Sequence, residues 1–415
     1  MLFATILVEW WSDIVRKKTL KRLKSISIIC IIVLVIEILY VGYRVLYQGR
    51  ESVYFEGINE MIITDDYYVT VGSNNNNDNH YEKAKISKYN SKKEKIFERL
   101  YSVGYNGSYF GIVEDDLDFV AVGSYEKTKE DHDESIRRGL ISKYDSEGNI
   151  IFKKDFKLLD NTKFTSIAKI YDGYLVTGQS IYKNTHIGDD DGGAILIRYD
   201  KDGNIIWSRT YGSSKSALYN KVIVFNNYIY AVGVDNDNIA IICKYDFDGN
   251  MLEYNDYKYT DSLGFSDLIY DNGNIYVVGS SRKNGTDTDA MIVKYNMNCE
   301  YKGQVVYDGA GLDRFNRIIK DNQNNLVVIG SVAKSRKIKQ KSVDEYDYDG
   351  IIAKYKNNLK EISVITYGDD KDDYFTDIKL FKDKYVVSAY SFYDDGSFMS
   401  KFITYSSALK VLGVE

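Results

Sequence analysis

The chain contains no proline, only three cysteines and only three histidines among its 415 residues. Three cysteines cannot form a disulfide framework, so packing must stabilise the fold. A hydrophobic content of 44% excludes an intrinsically disordered chain, and the lack of proline excludes a collagen-like one. Beyond the first 50 residues there is also no long helical periodicity, which favours β structure.

Net positive charge is lacking as well, since the formal charge is −6. Residues 1–50 hold 8 Lys and Arg against 3 Asp and Glu, which leaves 46 against 57 for the rest of the chain. The main part therefore carries a charge of about −11, which argues against nucleic acid as a partner.

The N-terminal region contains one long aliphatic run, residues 26–46. About 21 residues at a rise of 1.5 Å each match the hydrocarbon thickness of a bilayer. Six basic residues between Arg16 and Lys24 precede the run and favour a cytoplasmic N-terminus, and no small-residue cleavage site follows it. The sequence therefore predicts a basic cytoplasmic segment at 1–24, an uncleaved transmembrane helix at 25–47, a linker at 48–57 and an extracytoplasmic domain at 58–415.

The predicted domain consists of seven copies of one sequence repeat, and each copy is predicted to form four strands. The first strand of each copy begins with a large residue, and 14 residues later, or 15 in the sixth copy, the second strand ends with a glycine or its substitute. The large residues are Ile58, Tyr109, Phe164, Tyr219, Phe265, Phe315 and Phe375. The strand-ending residues are Gly72, Gly123, Gly178, Gly233, Gly279, Gly330 and Ala389. We expect each glycine to lie where a side chain would collide with a neighbouring backbone.

The third strand of each copy ends with a basic residue before an aromatic one. These basic residues are Lys88, Lys143, Arg198, Lys244, Lys294, Lys354 and Lys401. The next copy begins 21 residues later each time, and turns such as Asp200-Lys-Asp-Gly203-Asn supply the positive φ of a tight hairpin. Four-stranded units that cannot bury both faces alone must pack on one another. The spacing therefore predicts an all-β fold, a seven-bladed β-propeller of four-stranded antiparallel blades, after one transmembrane α-helix.

Two segments of the repeats resemble a known protein family. Residues 193–212 read Gly-Ala-Ile-Leu-Ile-Arg-Tyr-Asp-Lys-Asp-Gly-Asn-Ile-Ile-Trp-Ser-Arg-Thr-Tyr-Gly, and residues 288–295 read Thr-Asp-Ala-Met-Ile-Val-Lys-Tyr. They resemble the bacterial β-propeller repeats termed SBBP. The resemblance implies a propeller fold and an extracytoplasmic setting, and it implies no catalytic residues.

The connections between second and third strands contain the candidate ligands for a metal. These are His80, His132, His186, Asp189, Asp190 and Asp191. Imidazoles with carboxylates suit Zn²⁺, and carboxylate clusters suit Ca²⁺, but flexible surface residues explain the same pattern and no loop keeps an EF-hand spacing. We predict no bound cofactor, with Ca²⁺ as the alternative. The seven basic residues could likewise line a central channel and bind an anion, although a structural role, with each stem lying over the Tyr or Phe that follows it, is favoured.

No catalytic constellation recurs, so the sequence favours a binding or scaffolding module at the cell envelope, with a protein or glycan ligand and a membrane-embedded anchor. An enzyme with its active site on the loop-rich face is one alternative. A sensor that signals through the anchor is the other, and Glu37 within the apolar run is its support, although a neutral, tolerated carboxyl is the favoured explanation of that residue.

Overall fold

The computed structural model describes residues 57–75, 82–101, 103–128, 135–181, 192–212, 217–235, 239–257, 261–283, 287–309, 311–334, 347–368, 372–392 and 398–414. All regular structure in these ranges is β-strand. The predicted helix at 25–47 and the segment before it lie outside the described residues. Within the ranges given, no helix is long and apolar enough to cross a membrane.

Twenty-eight strands follow one another along the chain and form six sheets, which we name A to F. Sheet A contains β1 (Ile58–Ile63), β2 (Tyr67–Asn75), β3 (Glu82–Asn90) and β4 (Lys95–Leu100). Sheet B contains β5 (Tyr105–Asp115), β6 (Asp118–Thr128), β7 (Ser135–Tyr144), β8 (Ile150–Phe156), β9 (Asn161–Ile170), β10 (Gly173–Ile181), β11 (Gly192–Asp200) and β12 (Ile205–Tyr211).

The remaining four sheets each have four strands. Sheet C contains β13 (Leu218–Phe225), β14 (Tyr228–Val234), β15 (Ala240–Tyr245) and β16 (Met251–Asp256). Sheet D contains β17 (Asp261–Asp271), β18 (Asn274–Lys283), β19 (Asp287–Asn296) and β20 (Tyr301–Tyr307). Sheet E contains β21 (Arg314–Lys320), β22 (Leu326–Lys334), β23 (Asp347–Tyr355) and β24 (Glu361–Tyr367), and sheet F contains β25 (Asp373–Phe381), β26 (Lys384–Phe392), β27 (Phe398–Ser406) and β28 (Val411–Val414).

The expectation of seven separate four-stranded blades is wrong, because the described strands form five four-stranded sheets and one sheet of eight strands. In sheet B, two antiparallel four-stranded halves join through a single parallel bridge between Arg137 of β7 and Asn161 of β9. The Arg137 amide donates to the Asp160 carbonyl at 3.1 Å, so the connection into β9 runs alongside β7 and fuses the two halves. The fold is an all-β propeller of unequal sheets.

Consecutive sheets pack face to face because alternate residues of each strand point to opposite faces. In β18, Ile275 and Val277 pack against sheet C, whereas Tyr276 and Val278 pack against sheet E. All four side chains are buried. Short apolar strands such as this one therefore contribute to two hydrophobic clusters at once.

The ring of sheets closes between the first sheet and the last, through β1 of sheet A and β25 of sheet F. The Met61 amide of β1 donates to Asp377 Oδ2 of β25 at 2.8 Å. On the neighbouring turns, Lys382 pairs with Asp65 at 2.6 Å, and the rings of Tyr68 and Phe381 lie 6.4 Å apart. Sheets A and F are thus neighbours in space although they lie at opposite ends of the described chain.

Each of the seven innermost strands, β1, β5, β9, β13, β17, β21 and β25, has a bulge just after the large residue that begins the repeat. The carbonyl group of the residue before this large residue lies against the strand-ending glycine of the adjacent strand. A methyl group added to Gly330 would overlap the Arg314 carbonyl oxygen, and one added to Gly123 would overlap the Ser108 carbonyl oxygen. The predicted collision with a neighbouring backbone is confirmed at these positions.

Candidate functional site

The bulges direct one residue of every innermost strand toward the axis of the ring, where a cavity of about 260 Å³ lies. We call this space the axial cavity. The seven bulge residues that line it are Asn59, Phe110, Thr165, Asn220, Ser266, Asn316 and Thr376. Lys163, Arg314 and Arg317 complete the lining. Because the cavity is formed by all seven strands, it exists only when the ring is closed.

Several bulge side chains are fixed by donating to the next innermost strand. Asn59 Nδ2 donates to the Tyr109 carbonyl at 2.7 Å, and Asn220 Nδ2 donates to the Phe265 carbonyl at 2.8 Å. Asn316 Nδ2 donates to the Phe375 carbonyl at 3.0 Å, and Thr165 Oγ1 donates to the Tyr219 carbonyl at 2.5 Å. These bonds join neighbouring sheets and hold the amide and hydroxyl groups of the lining in place.

A group of six charged residues meets at the axis; five of them are one position further along the innermost strands, and Lys379 follows Asp377 by two residues. We call Glu60, Lys221, Asp267, Arg317, Asp377 and Lys379 the axial ion cluster. Lys221 Nζ and Glu60 Oε1 are 2.7 Å apart although they come from sheets A and C, which are not adjacent. Lys379 lies 3.1 Å and Arg317 3.7 Å from Asp377. These side chains meet across the axis, and Arg317 among them also lines the axial cavity.

The carboxylates of this cluster also accept backbone amides of the following innermost strand. Glu60 Oε2 accepts the Ile112 amide at 2.9 Å, and Asp267 Oδ2 accepts the Ile318 amide at 3.0 Å. Asp377 accepts the Met61 amide in the same way. The bulge frees these N–H groups from the sheet, so the buried charges satisfy donors that would otherwise lack a partner.

Burial and charge act in opposite directions on the cluster. Burial alone raises the pKa of Glu60, but the charges of Lys221, Lys379 and Arg317 outweigh it and lower the pKa to about 2. For Asp267 burial dominates, and its pKa lies above the ordinary value despite the nearby cations. The pKa values of Lys221 and Arg317 are raised, because their carboxylate partners outweigh the effect of burial. Glu60 is therefore ionised and held by cations at neutral pH.

Two cations of the lining do not belong to the axial ion cluster. Lys163 has its ammonium 4.1 Å from the centre of the Phe110 ring, and its pKa is lowered to about 8, by burial and then by the like charge of Arg137. Arg314 is the exposed cation of the lining. Among the described residues neither Lys163 nor Arg314 has an ion pair. The axial cavity is therefore lined by positive charge.

A smaller cavity of about 10 Å³, room for about one water molecule, shares Phe110 and Lys163 with the axial cavity. Glu82 lies on its wall, and burial raises the pKa of this carboxyl to about 8. Glu82 is consequently protonated at neutral pH and adds no negative charge beside Lys163.

The histidines His80, His132 and His186 and the aspartates Asp189, Asp190 and Asp191 lie outside the described residues. Within the part of the chain that is described, no group of three His, Cys, Asp or Glu side chains could hold a metal ion. The hypothesis of a metal or Ca²⁺ site in these connections therefore stays a prediction.

None of the basic residues at the ends of the third strands lines the axial cavity. Lys143 pairs with Asp115 at 2.7 Å, and Lys354 pairs with Asp321 at 2.7 Å. Lys244 lies over the Tyr228 ring at 4.2 Å. Lys88, Arg198 and Lys294 likewise lie over Tyr67, Phe247 and Tyr276, respectively. These side chains pair with acids and aromatic rings instead of facing the axis.

Lys401 occupies a different register from the other six. It is opposite Ala389, whereas Lys88 lies three residues beyond the residue opposite Gly72. The position equivalent to Lys88 is Thr404, which is followed by the buried Tyr405. Lys401 instead lies 2.9 Å from Asp373, at the start of β25.

The axial residues were not found from the sequence, although a signal for them exists. The residue after each large repeat-starting residue is polar in every copy except the one with Phe110, and the next residue is charged in five copies. Charged residues in the innermost strand of a ring of sheets must face the axis or the next sheet, since both sheet faces are covered.

No protein-family model matches the chain, and no curated protein matches it. Among solved structures, Sqt1 from Chaetomium thermophilum is similar at 10% identity and a TM-score of 0.46, over 84% of this chain and 96% of that one. The β-propeller domain of the Trilobed protease from Pyrococcus furiosus is similar at 11% identity and a TM-score of 0.45, over 84% and 93%. Likenesses this distant say nothing of ligand or activity, and the propeller assignment rests on the strand order and ring closure described above. The resemblance to SBBP repeats remains a prediction.

Proposed function

We propose that this chain is a binding module of the cell envelope and that its ligand occupies the axial cavity. The observation that carries the proposal is the cavity itself, to which each of the seven innermost strands contributes a bulge residue. A rigid ring that presents fixed amides, hydroxyls and cations at one point is preorganised to bind, because little ordering remains when a ligand enters.

The size of the cavity favours a small molecule. Its volume of about 260 Å³ is slightly below the range of about 300–1,000 Å³ typical of pockets for drug-sized ligands. A molecule of roughly monosaccharide size fits such a space. A protein or glycan of the cell envelope, the kind of ligand predicted from the sequence, could present a group of this size.

The chemistry of the lining supports binding over catalysis. Its ten described residues include no carboxylate, imidazole or thiol that could serve as base or nucleophile. Lys163 is the lining residue whose pKa is lowered to about 8, and no acid accompanies it in the lining. Hydroxyls and amines act as nucleophiles mostly beside an activating acid or base, and the described lining offers no such partner, so binding is favoured over catalysis.

The test of this proposal is a thermal-shift screen of small metabolites on the full-length chain. At least one compound should raise the melting temperature of the wild type, because a ligand at a hundred times its Kd adds about 2.7 kcal/mol to the stability. The variant Asn220→Trp fills the cavity and should lose the response. Asn358→Trp makes the same change in an exposed turn and should keep it. An equal response in both tryptophan variants would place the ligand elsewhere and refute the proposal.

The envelope location rests on the predicted anchor at 25–47 and has a separate test. A cysteine introduced at exposed Lys92 should react with a membrane-impermeant maleimide in intact cells, and one introduced at Lys18 should react only after permeabilisation. Labelling at both positions only after permeabilisation would contradict the location while leaving the axial site untouched.

A further inference from the structure

We infer that the ligand of the axial cavity is a small hydroxylated anion, with its carboxylate or phosphate held by Lys163 and Arg314. This inference rests on the proposed function and specifies the chemistry of its ligand. It starts from the charge of the lining, which contains three cations and, among its described residues, no acid.

The three cations are not equivalent. Arg317 belongs to the axial ion cluster and lies 3.7 Å from Asp377, so protein carboxylates balance its charge. Lys163 and Arg314 have no such partner in the described part of the chain, and the like charge of Arg137 acts on Lys163. Lys163 is half-buried, and a half-buried ammonium without counter-charge is unfavourable until an anion joins it. The exposed Arg314 adds a second positive charge to the same cavity.

The position of the two cations restricts the ligand. Lys163 is on β9 in sheet B and Arg314 is on β21 in sheet E, so they approach the cavity from different sides of the ring. Glu82, which shares the smaller cavity with Lys163, does not line the axial cavity. An anion in the axial cavity therefore meets cations without competing with a protein carboxylate.

The neutral part of the lining accounts for the hydroxyl groups of the ligand. Asn220 and Asn316 each use one N–H to bond a backbone carbonyl of the next strand, which fixes the amide plane. The amide oxygen and the second N–H of each then remain to accept from and donate to ligand hydroxyls. Ser266 adds a hydroxyl to the same lining. Cations together with fixed amides match a sugar acid or a sugar phosphate.

The experiment is calorimetric titration of the full-length chain with three probes: glucuronate, glucose 6-phosphate and glucose. At least one of the two anions should bind, and glucose should bind at least about tenfold more weakly, because a charge-assisted hydrogen bond contributes more than a neutral one. The stronger anion of the two identifies a carboxylate or a phosphate as the charged group.

Variants assign the charge to its residues. Lys163→Gln and Arg314→Gln should each weaken binding of the anion by about 10- to 100-fold and leave any glucose binding unchanged. Lys163→Arg keeps the charge and should retain most of the affinity, which separates charge from folding defects. Lys360→Gln, in an exposed turn, is the matched control and should bind as the wild type does.

The outcomes distinguish a wrong ligand chemistry from a wrong binding site. Binding of glucose as tight as that of both anions, or no binding of either anion, overturns the inference and leaves the axial site intact as a binding cavity. Binding of an anion that survives Asn220→Trp overturns the proposed site, because the anion then binds outside the cavity.

Discussion

Replacement of Glu60 by glutamine should remove a pH-dependent part of the stability of the ring. Glu60 has its pKa lowered from 4.5 to about 2, because the cations of the axial ion cluster outweigh the effect of burial. A carboxyl group whose pKa is lower in the folded state stabilises that state above its unfolded pKa and loses the effect as the pH falls toward the folded pKa. The shift of about 2.5 units corresponds to about 3 kcal/mol at pH 6, which falls to about 1 kcal/mol at pH 3.

The measurement is the free energy of unfolding of wild type and Glu60→Gln by urea titration at several pH values. The difference between the two proteins should shrink by about 2 kcal/mol between pH 6 and pH 3. Asp66→Asn, at an exposed position in the first turn of sheet A, is the control and should show no comparable change. A difference between wild type and Glu60→Gln that stays constant across this pH range would refute the account of the axial ion cluster.

Two further predictions concern the packing of the sheets. Gly330→Ala should destabilise the protein by about 1–3 kcal/mol or more, because the added methyl group overlaps the Arg314 carbonyl, and the melting temperature should fall by several degrees. Ala389→Gly, at the equivalent position of the last repeat, should change the melting temperature little. Equal effects of the two substitutions would contradict this explanation of the glycine. Cys243 and Cys299 are buried, and burial raises the pKa of each thiol to about 12. Iodoacetamide should therefore modify neither thiol in the folded protein and both in guanidinium chloride, as measured by peptide mass spectrometry. Modification of either thiol in the folded protein would show that the sheets pack less tightly than described.

Much of the fold can be predicted from the sequence because the signals are local. The step of 14 or 15 residues from each large residue to the strand-ending glycine predicts a pair of antiparallel strands, and the bulge explains the glycine. The hairpin turns are equally local, since Gly148, Gly203 and Gly249 adopt the positive φ predicted for them.

The number of separate sheets could not be predicted in the same way. It depends on the path of one connection, which brings Asn161 beside Arg137 and joins two four-stranded halves. No turn residue or spacing in the sequence distinguishes this connection from the others, because the contact is made by backbone groups.

The position of Lys401 shows how a degenerate repeat misleads. Lys401-Phe402 imitates the basic-aromatic pair of the other copies, but the strand register places Thr404-Tyr405 at that point. The feature that all seven copies keep at the end of the third strand is an aromatic ring and not a cation. This ring is buried in six copies, and Tyr89 in the first copy is partly buried.

The axial cavity required the structure, because its lining comes from seven bulges far apart in the sequence. The alternation of a regular strand would place Asn220 and Lys221 on opposite faces. The bulge at Asn220 changes this pattern, so Asn220 lines the cavity and Lys221 reaches across the axis to Glu60.

The cavity exists only if the ring of sheets closes, and distances between spin labels test that closure most directly. Labels would be placed at exposed positions 66, 272 and 383, in turns of sheets A, D and F, in a chain whose Cys30 is replaced by serine. A closed ring predicts a shorter distance for 66–383 than for 66–272, because Lys382 and Asp65 are in contact. A longer distance for 66–383 than for 66–272 would mean an open stack of sheets without an axial cavity, and would contradict the account.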